Sequence, residues 1–351
     1  MERNKLIIDK MKLTNSLKIG IVGTGMISNV IADAIKKATT SKIAAVSSRS
    51  EDKAMDFAKN HNIEKSFGDW KDLISWEGID AVYIGVPTIA KEEIAIAAAK
   101  NGKHLLVDKP FLNYQSVKQM TDTSRENKVV FMDATHFVHN PRTLHIQKNA
   151  ITQIGTPQAV NTSHFWPISD MNNIRFDSKL EPTGAIGDMA WYCARAIVEY
   201  LPNAKKIKDI KSFAQRDPKT SAILRGGGII IFEDGSTSNW SAGYNAGVAI
   251  MDLDILGTEG LISLNDFVLD WSKGFPFNDP EYKVGYTLRK GVATPKEFEY
   301  VETPSEKAQA VLMIERFAKL INEDENAKED ARHKAENTQQ IIDAMWNSIE
   351  K

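Results

Sequence analysis

The sequence predicts an α/β fold in two parts: a doubly wound parallel sheet, then an open-faced, mostly antiparallel sheet with helices on one face. Three observations carry this. Between residues 17 and 135, short apolar runs alternate with amphipathic helical stretches. Beyond residue 159, apolar runs follow one another directly across turns such as Glu233-Asp234-Gly235-Ser236 and Gly257-Thr258-Glu259-Gly260. Finally, the glycine turn Gly23-Thr24-Gly25 lies where the first apolar run feeds the first amphipathic one.

Taken in order, residues 19–22 have strand character, and Ile27, Val30, Ile31, Ala34, Ile35 and Ala38 recur at helical spacing. Gly23 permits the tight turn, and Gly25 lets the backbone approach a pyrophosphate. The helix opening at Met26 and Ile27 would present free N–H groups to that anion. Ser28 stands where a third small residue allows close packing of helix on strand. The next strand, 42–46, ends in Ser47-Ser48-Arg49-Ser50, where an acidic residue would grip an adenosine ribose. No carboxylate is present there. Hydroxyls and a guanidinium suit a 2′-phosphate, so NADP is preferred over NAD.

A strand at 81–86, a helix at 89–100 closed by Gly102, and a strand at 104–107 continue the alternation. Then come strands at 159–166, 207–215, 223–232, 237–242, 249–256 and 261–264. A helix at 187–201, stopped by Pro202, interrupts them. Helices at 305–322 and 330–349 end the chain, with the acidic cluster 322–330 read as a solvated turn between them. The expected organisation is a tail (1–16), a dinucleotide-binding domain (17–135), a substrate and oligomerisation domain (136–304) and C-terminal helices (305–351) that pack back on the first domain.

At 351 residues, 42% apolar and 26% charged, the chain has the make-up of a two-domain globular protein. A formal net charge of −2 gives no pull toward nucleic acid or membrane surfaces. Nothing approaches the roughly 20 apolar residues of a membrane-spanning helix, and the N-terminal segment lacks the continuous apolar stretch of a secretory signal. The single cysteine, Cys193, excludes an intramolecular disulfide and reads as a buried filler. A cytoplasmic location is expected. No metal is expected, since no ligand cluster of metal-binding spacing occurs.

For chemistry, the strand at 104–107 ends in Asp108-Lys109-Pro110, at the sheet edge where ligands bind. Asp188 and Tyr192 are four apart, hence on one helical face. Together they form an acid–base set. A phenol of pKa about 10 is a weak acid, but a neighbouring ammonium favours phenolate and would bring its titration closer to neutrality. Lys109 would supply that charge, and Asp188 would orient the lysine or substrate hydroxyls. Tyr114-Gln115-Ser116-Val117-Lys118 matches the Tyr-x-x-x-Lys of short-chain dehydrogenases but lacks their glycine spacing and upstream serine.

The pieces Gly23-x-Gly25-x-x-Ser28, Ser48-Arg49-Ser50, Asp80-Ala81-Val82-Tyr83-Ile84, Gly102-Lys103-His104 and Asp108-Lys109-Pro110 occur in the order seen in the Gfo/Idh/MocA oxidoreductases. The chain resembles the branch holding glucose-fructose oxidoreductase, dimeric dihydrodiol dehydrogenase and NADP-dependent xylose dehydrogenase. There, Asp-x-x-x-Tyr replaces the Asp-x-x-x-His of inositol dehydrogenases. The resemblance implies a Rossmann domain and Lys109 with Tyr192 as the catalytic pair, Asp188 beside them. It also implies an open sheet used for homodimer or homotetramer contacts and hydride transfer to or from a sugar or cyclic polyol. A sensor that binds NADP without turnover is the alternative on the same fold.

Three departures stand out. Asp108 replaces the usual glutamate. Val86-Pro87-Thr88-Ile89-Ala90-Lys91 replaces Thr-Pro-Asn-x-x-His near the nicotinamide, and Met189-Ala190-Trp191 replaces a small-residue stretch that usually includes glycine, with Trp191 expected to reshape the pocket. His136, His139 and Arg142, on the segment leaving the first domain, are candidates for binding substrate, with Trp166, Arg175 and Trp191.

Overall fold

The computed structural model describes residues 16–204 and 206–349; the tail expected at the N-terminus lies, but for Ser16, outside the described residues. The first half runs β1 (Leu17–Val22), α1 (Met26–Lys37), β2 (Ser41–Ser47), α2 (Glu51–His61), β3 (Lys65–Phe67), α3 (Trp70–Ser75), β4 (Ala81–Ile84), α4 (Lys91–Lys100), β5 (His104–Val107), α5 (Tyr114–Glu126) and β6 (Phe131–Asp133). All six strands pair in parallel, in the order β3-β2-β1-β4-β5-β6. The strand order reverses between β1 and β4, which opens a crevice at their carboxyl ends. The strand expected at 81–86 ends early and the helix expected at 89–100 starts late, while their outer bounds hold. Gly85 and Val86 leave the sheet, and a 3₁₀ turn over Thr88–Ala90 precedes α4, because the Thr88 N–H and hydroxyl are held by Glu181 at 3.0 and 2.5 Å.

The second half runs α6 (Pro141–His145), β7 (Pro157–Phe165), α7 (Gly184–Asp188), α8 (Ala190–Tyr200), β8 (Ile207–Arg216), β9 (Ile223–Phe232), β10 (Thr237–Gly243), β11 (Ile250–Gly257), β12 (Gly260–Leu264), β13 (Gly285–Lys290) and β14 (Glu299–Glu302), then α9 (Gln309–Leu320) and α10 (Glu325–Asn347). Its eight strands follow the order β14-β13-β12-β11-β7-β10-β9-β8, antiparallel except for β7 beside β10. β13 and β14 escape a reading by apolar runs because β14 is a four-residue edge strand, Glu-Tyr-Val-Glu, with charges at both ends.

Two helix expectations need correcting. The helix expected over 187–201 begins earlier, at Gly184, and is divided at Met189 into α7 and α8. Only the first part of the acidic cluster, 322–324, lies in the turn between the helices, and the rest is helical. Asp324 caps α10, its side chain accepting from the Ala327 N–H at 3.0 Å, and Glu325 and Glu329 form the first turns, where negative charge is favoured. Glu329 also pairs with Arg125 and Arg332, tying α10 to α5.

Register places Phe213 and Ile229 with Asn239, Asn161, Asp254 and Leu256 on one face of the large sheet. The opposite face buries Val160, Thr162, Trp240, Leu253 and Ile255 beneath α7 and α8. α9 lies on α1 and on the turn His136–His139, and α10 lies on α5 and β6 as well as on α8 and β8. Ile31, Ile35, Met313, Ile314 and Phe317 knit α9 into the core of the first sheet.

Candidate functional site

The glycine turn after β1 is shaped for close approach. Gly23 has φ +104°, and a Cβ there would stand 2.4 Å from the Gly85 carbonyl oxygen. Over Gly25 the opposite holds: a Cβ would meet nothing within 4 Å, because this position faces a cleft of about 1190 Å³. α1 begins there with no side-chain cap, so its first N–H groups are free toward the cleft. Ser28 is fully buried, and its Oγ lies 2.8 Å from where a Cβ on Gly85 would fall, which explains a small residue at this point. The open space above Gly25 and the uncapped helix fit a dinucleotide's pyrophosphate. Met26, Ile27, Val86 and Pro87 line the same cleft.

At the far end, Ser48 and exposed Arg49 reach the cleft, joined by Lys53 and Asp56 from α2. Ser50 does not; it caps α2, accepting from the Lys53 N–H at 3.4 Å. No carboxylate stands directly after β2.

The cluster expected to carry the chemistry lies where β5 meets α7 and α8. The Lys109 ammonium bonds Asp188 Oδ1, donates to the Asp188 carbonyl at 3.3 Å, and stands 4.7 Å from the Tyr192 ring centroid. Asp188 Oδ2 accepts from Arg175 Nε at 2.5 Å and from the Tyr244 hydroxyl at 3.0 Å. Both carboxylate oxygens are therefore spent on protein groups. Asp188 thereby braces Lys109 against Arg175 and Tyr244. Burial alone would raise its carboxyl, but Arg175 and Lys109 outweigh this and hold it below the usual range. Burial would likewise lower Lys109, yet Asp188, Tyr192 and Asp108 keep it above the ordinary lysine value, so it is an ammonium at any working pH.

For Tyr192 the expected direction does not hold. Burial pushes the phenol up more than Lys109 pulls it down, and Asp108 and Asp188 add to the rise. The resting group at neutral pH is the phenol. Its oxygen lies 3.2 Å from His136 Nε2, and His164 packs edge-on against its ring at 4.9 Å between centroids. Burial and the Lys109 charge bring His136 down to about 3, and burial brings His164 down to about 4, so both imidazoles are neutral.

Asp108, Lys109, Asp188, Tyr192, His136, Trp166 and Arg175 all face the cleft. His139, Arg142 and Trp191 do not. Burial and Arg195 lower His139 to about 3. Arg142 is an interior ion pair with Asp266 and also donates to the Asp266 carbonyl at 2.8 Å. Trp191 is fully buried, donating to Thr135 Oγ1 at 2.7 Å and packing on Phe111. Cys193 is buried too, and its thiol is pushed up to about 12, consistent with a filler.

Sequence reasoning passed over His164, Tyr244, Glu181, Gln309 and Lys91. Of these only Lys91 carried a local signal, standing where the related motif has histidine. Its Nζ donates to the Pro110 carbonyl at 2.8 Å, and burial lowers it to about 8. Among the described residues no group of His, Cys, Asp and Glu is arranged to hold a metal ion, and no helix is long and apolar enough to cross a membrane.

The parallel sheet and its glycine turn have the form of a dinucleotide-binding domain, and a buried cluster of charged and phenolic side chains faces it. Residues 17–135 match the profile of GFO_IDH_MocA, described as "Oxidoreductase family, NAD-binding Rossmann fold". Over that first half the chain is thus similar to the Gfo/Idh/MocA oxidoreductases. It is 27% identical over 199 residues to scyllo-inositol 2-dehydrogenase (NADP(+)) IolU of Bacillus subtilis, covering 55% of this chain and 60% of that protein. It is 30% identical over 188 residues to trans-1,2-dihydrobenzene-1,2-diol dehydrogenase of Xenopus laevis, covering 51% and 55%. These matches span little more than half the length of either relative. KijD10, a 3-ketoreductase from Actinomadura kijaniata in complex with NADP and TDP-benzene, shares the fold across 96% of this chain and 98% of its own, with a TM-score of 0.83 and 18% identity.

Proposed function

We propose that the chain is an NADP-dependent oxidoreductase that interconverts an alcohol and a carbonyl on a sugar or cyclic polyol. The observation that carries this reading is the meeting of the Lys109 ammonium and the Tyr192 phenol in a cleft that also contains the glycine turn. Bound NADP would supply the nicotinamide ring that takes up or gives the hydride. Gly23, Gly25 and the start of α1 would hold its pyrophosphate, and Val86, Pro87 and Asp108 would lie beside its nicotinamide end. Tyr192 moves the proton at the reacting oxygen: its phenol gives a proton to a carbonyl undergoing reduction, and its phenolate takes the hydroxyl proton in oxidation. Lys109 stabilises the negative charge on either oxygen. Because burial raises Tyr192, phenolate is scarce at neutral pH, and the oxidising rate should climb with pH into the alkaline range.

The NADP preference rests on Ser48 and Arg49 at the rim and the missing carboxylate after β2; the Bacillus relative's name also carries NADP(+). Incubating the protein with NADP or NAD and a panel of aldoses, inositols and dihydrodiols, while following reduced nicotinamide by absorbance, tests the reading. Turnover with NADP is expected, and Arg49→Ala should raise the KM for NADP about tenfold or more with little change for NAD. Tight NADP binding without turnover on any of these would replace the enzyme with a sensor.

We also propose that the open sheet face pairs subunits into a homodimer or homotetramer. Phe213, Ile229 and Leu256 are each more than two-fifths exposed on it. Light scattering should give a multiple of the chain mass, and Phe213→Lys with Ile229→Lys should reduce it; a monomer for the unaltered protein refutes this.

A further inference from the structure

Resting on the reading of Tyr192 as the proton-transfer group, we infer that Gln309 and His136 are positioning residues: Gln309 fixes the His136 tautomer so that Nε2–H donates to the Tyr192 oxygen and aims the phenol's own proton at the substrate.

The proton positions follow from two backbone groups whose roles cannot change. The Arg142 N–H only donates, and it lies 2.9 Å from Asn140 Oδ1, which fixes that amide's orientation. Asn140 Nδ2 then donates to Asp270 Oδ2 at 3.1 Å and to Gln309 Oε1 at 3.3 Å. At the other end, the Val268 carbonyl only accepts, and the Gln309 atom 2.5 Å from it is therefore the amide nitrogen. Both ends orient Gln309 the same way. Its second N–H points at His136 Nδ1, 2.6 Å away, which must accept. A neutral imidazole accepting at Nδ1 carries its proton on Nε2, and Nε2 stands 3.2 Å from the Tyr192 oxygen. That hydrogen bond stabilises phenolate, so it works with Lys109 against the burial that raises the phenol. The Tyr192 hydroxyl, having received a hydrogen bond from His136, keeps its own proton for the cleft. His164 does not compete for the relay. Its Nδ1 lies 3.0 Å from the Met189 carbonyl and so donates there. The charged and titratable groups that act on this tyrosine are Lys109, Asp108, Asp188, His136, His164 and Tyr83, so a pH profile reads their sum.

The direct test needs no substrate. In histidine ¹⁵N NMR of the full chain, His136, assigned with His136→Leu, is expected as the Nε2–H tautomer between pH 5 and 8. Finding it as the Nδ1–H tautomer overturns the inference. Kinetics supply the second arm, in the alcohol-oxidising direction. Gln309→Met and His136→Leu should each lower kcat at pH 7 about tenfold, move the alkaline rise up by about one pH unit, and leave KM within about twofold. His136→Gln, which returns an amide N–H near the place of Nε2, should restore the profile. If these variants lose melting temperature or KM but keep the unaltered pH profile, their role is structural and the inference fails. Absence of turnover by the unaltered protein would instead refute the proposed function, leaving the tautomer to be judged by the spectrum.

Discussion

Tyr192→Phe is expected to abolish most turnover, lowering kcat about 100- to 10,000-fold while NADP binding stays within about twofold. Phenylalanine keeps the ring that packs against His164 and lies beneath Lys109, so the cleft keeps its shape. Only the oxygen goes. Proton transfer at the substrate then falls to water or to Lys109, whose ammonium is held strongly charged by Asp188 and is a poor acid. Stopped-flow absorbance of reduced nicotinamide, with calorimetry of NADP binding, separates the two quantities. A variant that turns over within tenfold of the unaltered protein would remove Tyr192 from the chemistry.

Asp188→Asn is expected to cost stability as well as activity. The carboxylate offsets two cations, Lys109 and Arg175, whose side chains are 10% and 27% exposed. Removing one partner of a buried pair costs roughly 3–5 kcal/mol, and the lower end applies because Arg175 retains some water contact. The pH sense follows from Asp188 being held below the ordinary carboxylate value of 3.8. A depressed carboxyl stabilises the fold fully above its unfolded value, and that contribution is lost as pH falls below about 4. Asp108 acts in the opposite sense, since burial raises its carboxyl. Urea titrations between pH 3 and 7 should therefore show the gap between the unaltered protein and Asp188→Asn narrowing toward acid. A constant gap would mean that Asp188 acts through packing alone. Activity should also fall, because Lys109 loses the group that aims it.

What could be read from the sequence was what neighbours in the chain decide. Gly23, Gly25 and Lys109 sit at strand ends, and a strand, its turn and the next helix are specified within a few residues. Long-range partners were invisible. Arg142 looked like a substrate contact because Asp266, which holds it, is 124 positions away, and Trp191 finds Thr135 at a separation of 56. Gln309 was unremarkable as a helix residue until the fold brought it to His136 across 173 positions. The Tyr192 shift was misjudged for a similar reason: the ammonium was expected, but the depth of burial belongs to the assembled core. The divided helix at Met189 and the edge strand β14 were lost to weak periodicity.

The 23 residues of α10 form a rod roughly 34 Å long, lying on α5 and β6 of one half and on α8 and β8 of the other. Ser348 extends the grip by donating to Ser212 at 2.7 Å. Such a strut resists any hinge between the two sheets, because swinging them apart would strip it from one side. The crevice they hold between them is edged by the loops around residues 166–175 and 273–276, which the strut does not touch on its way across.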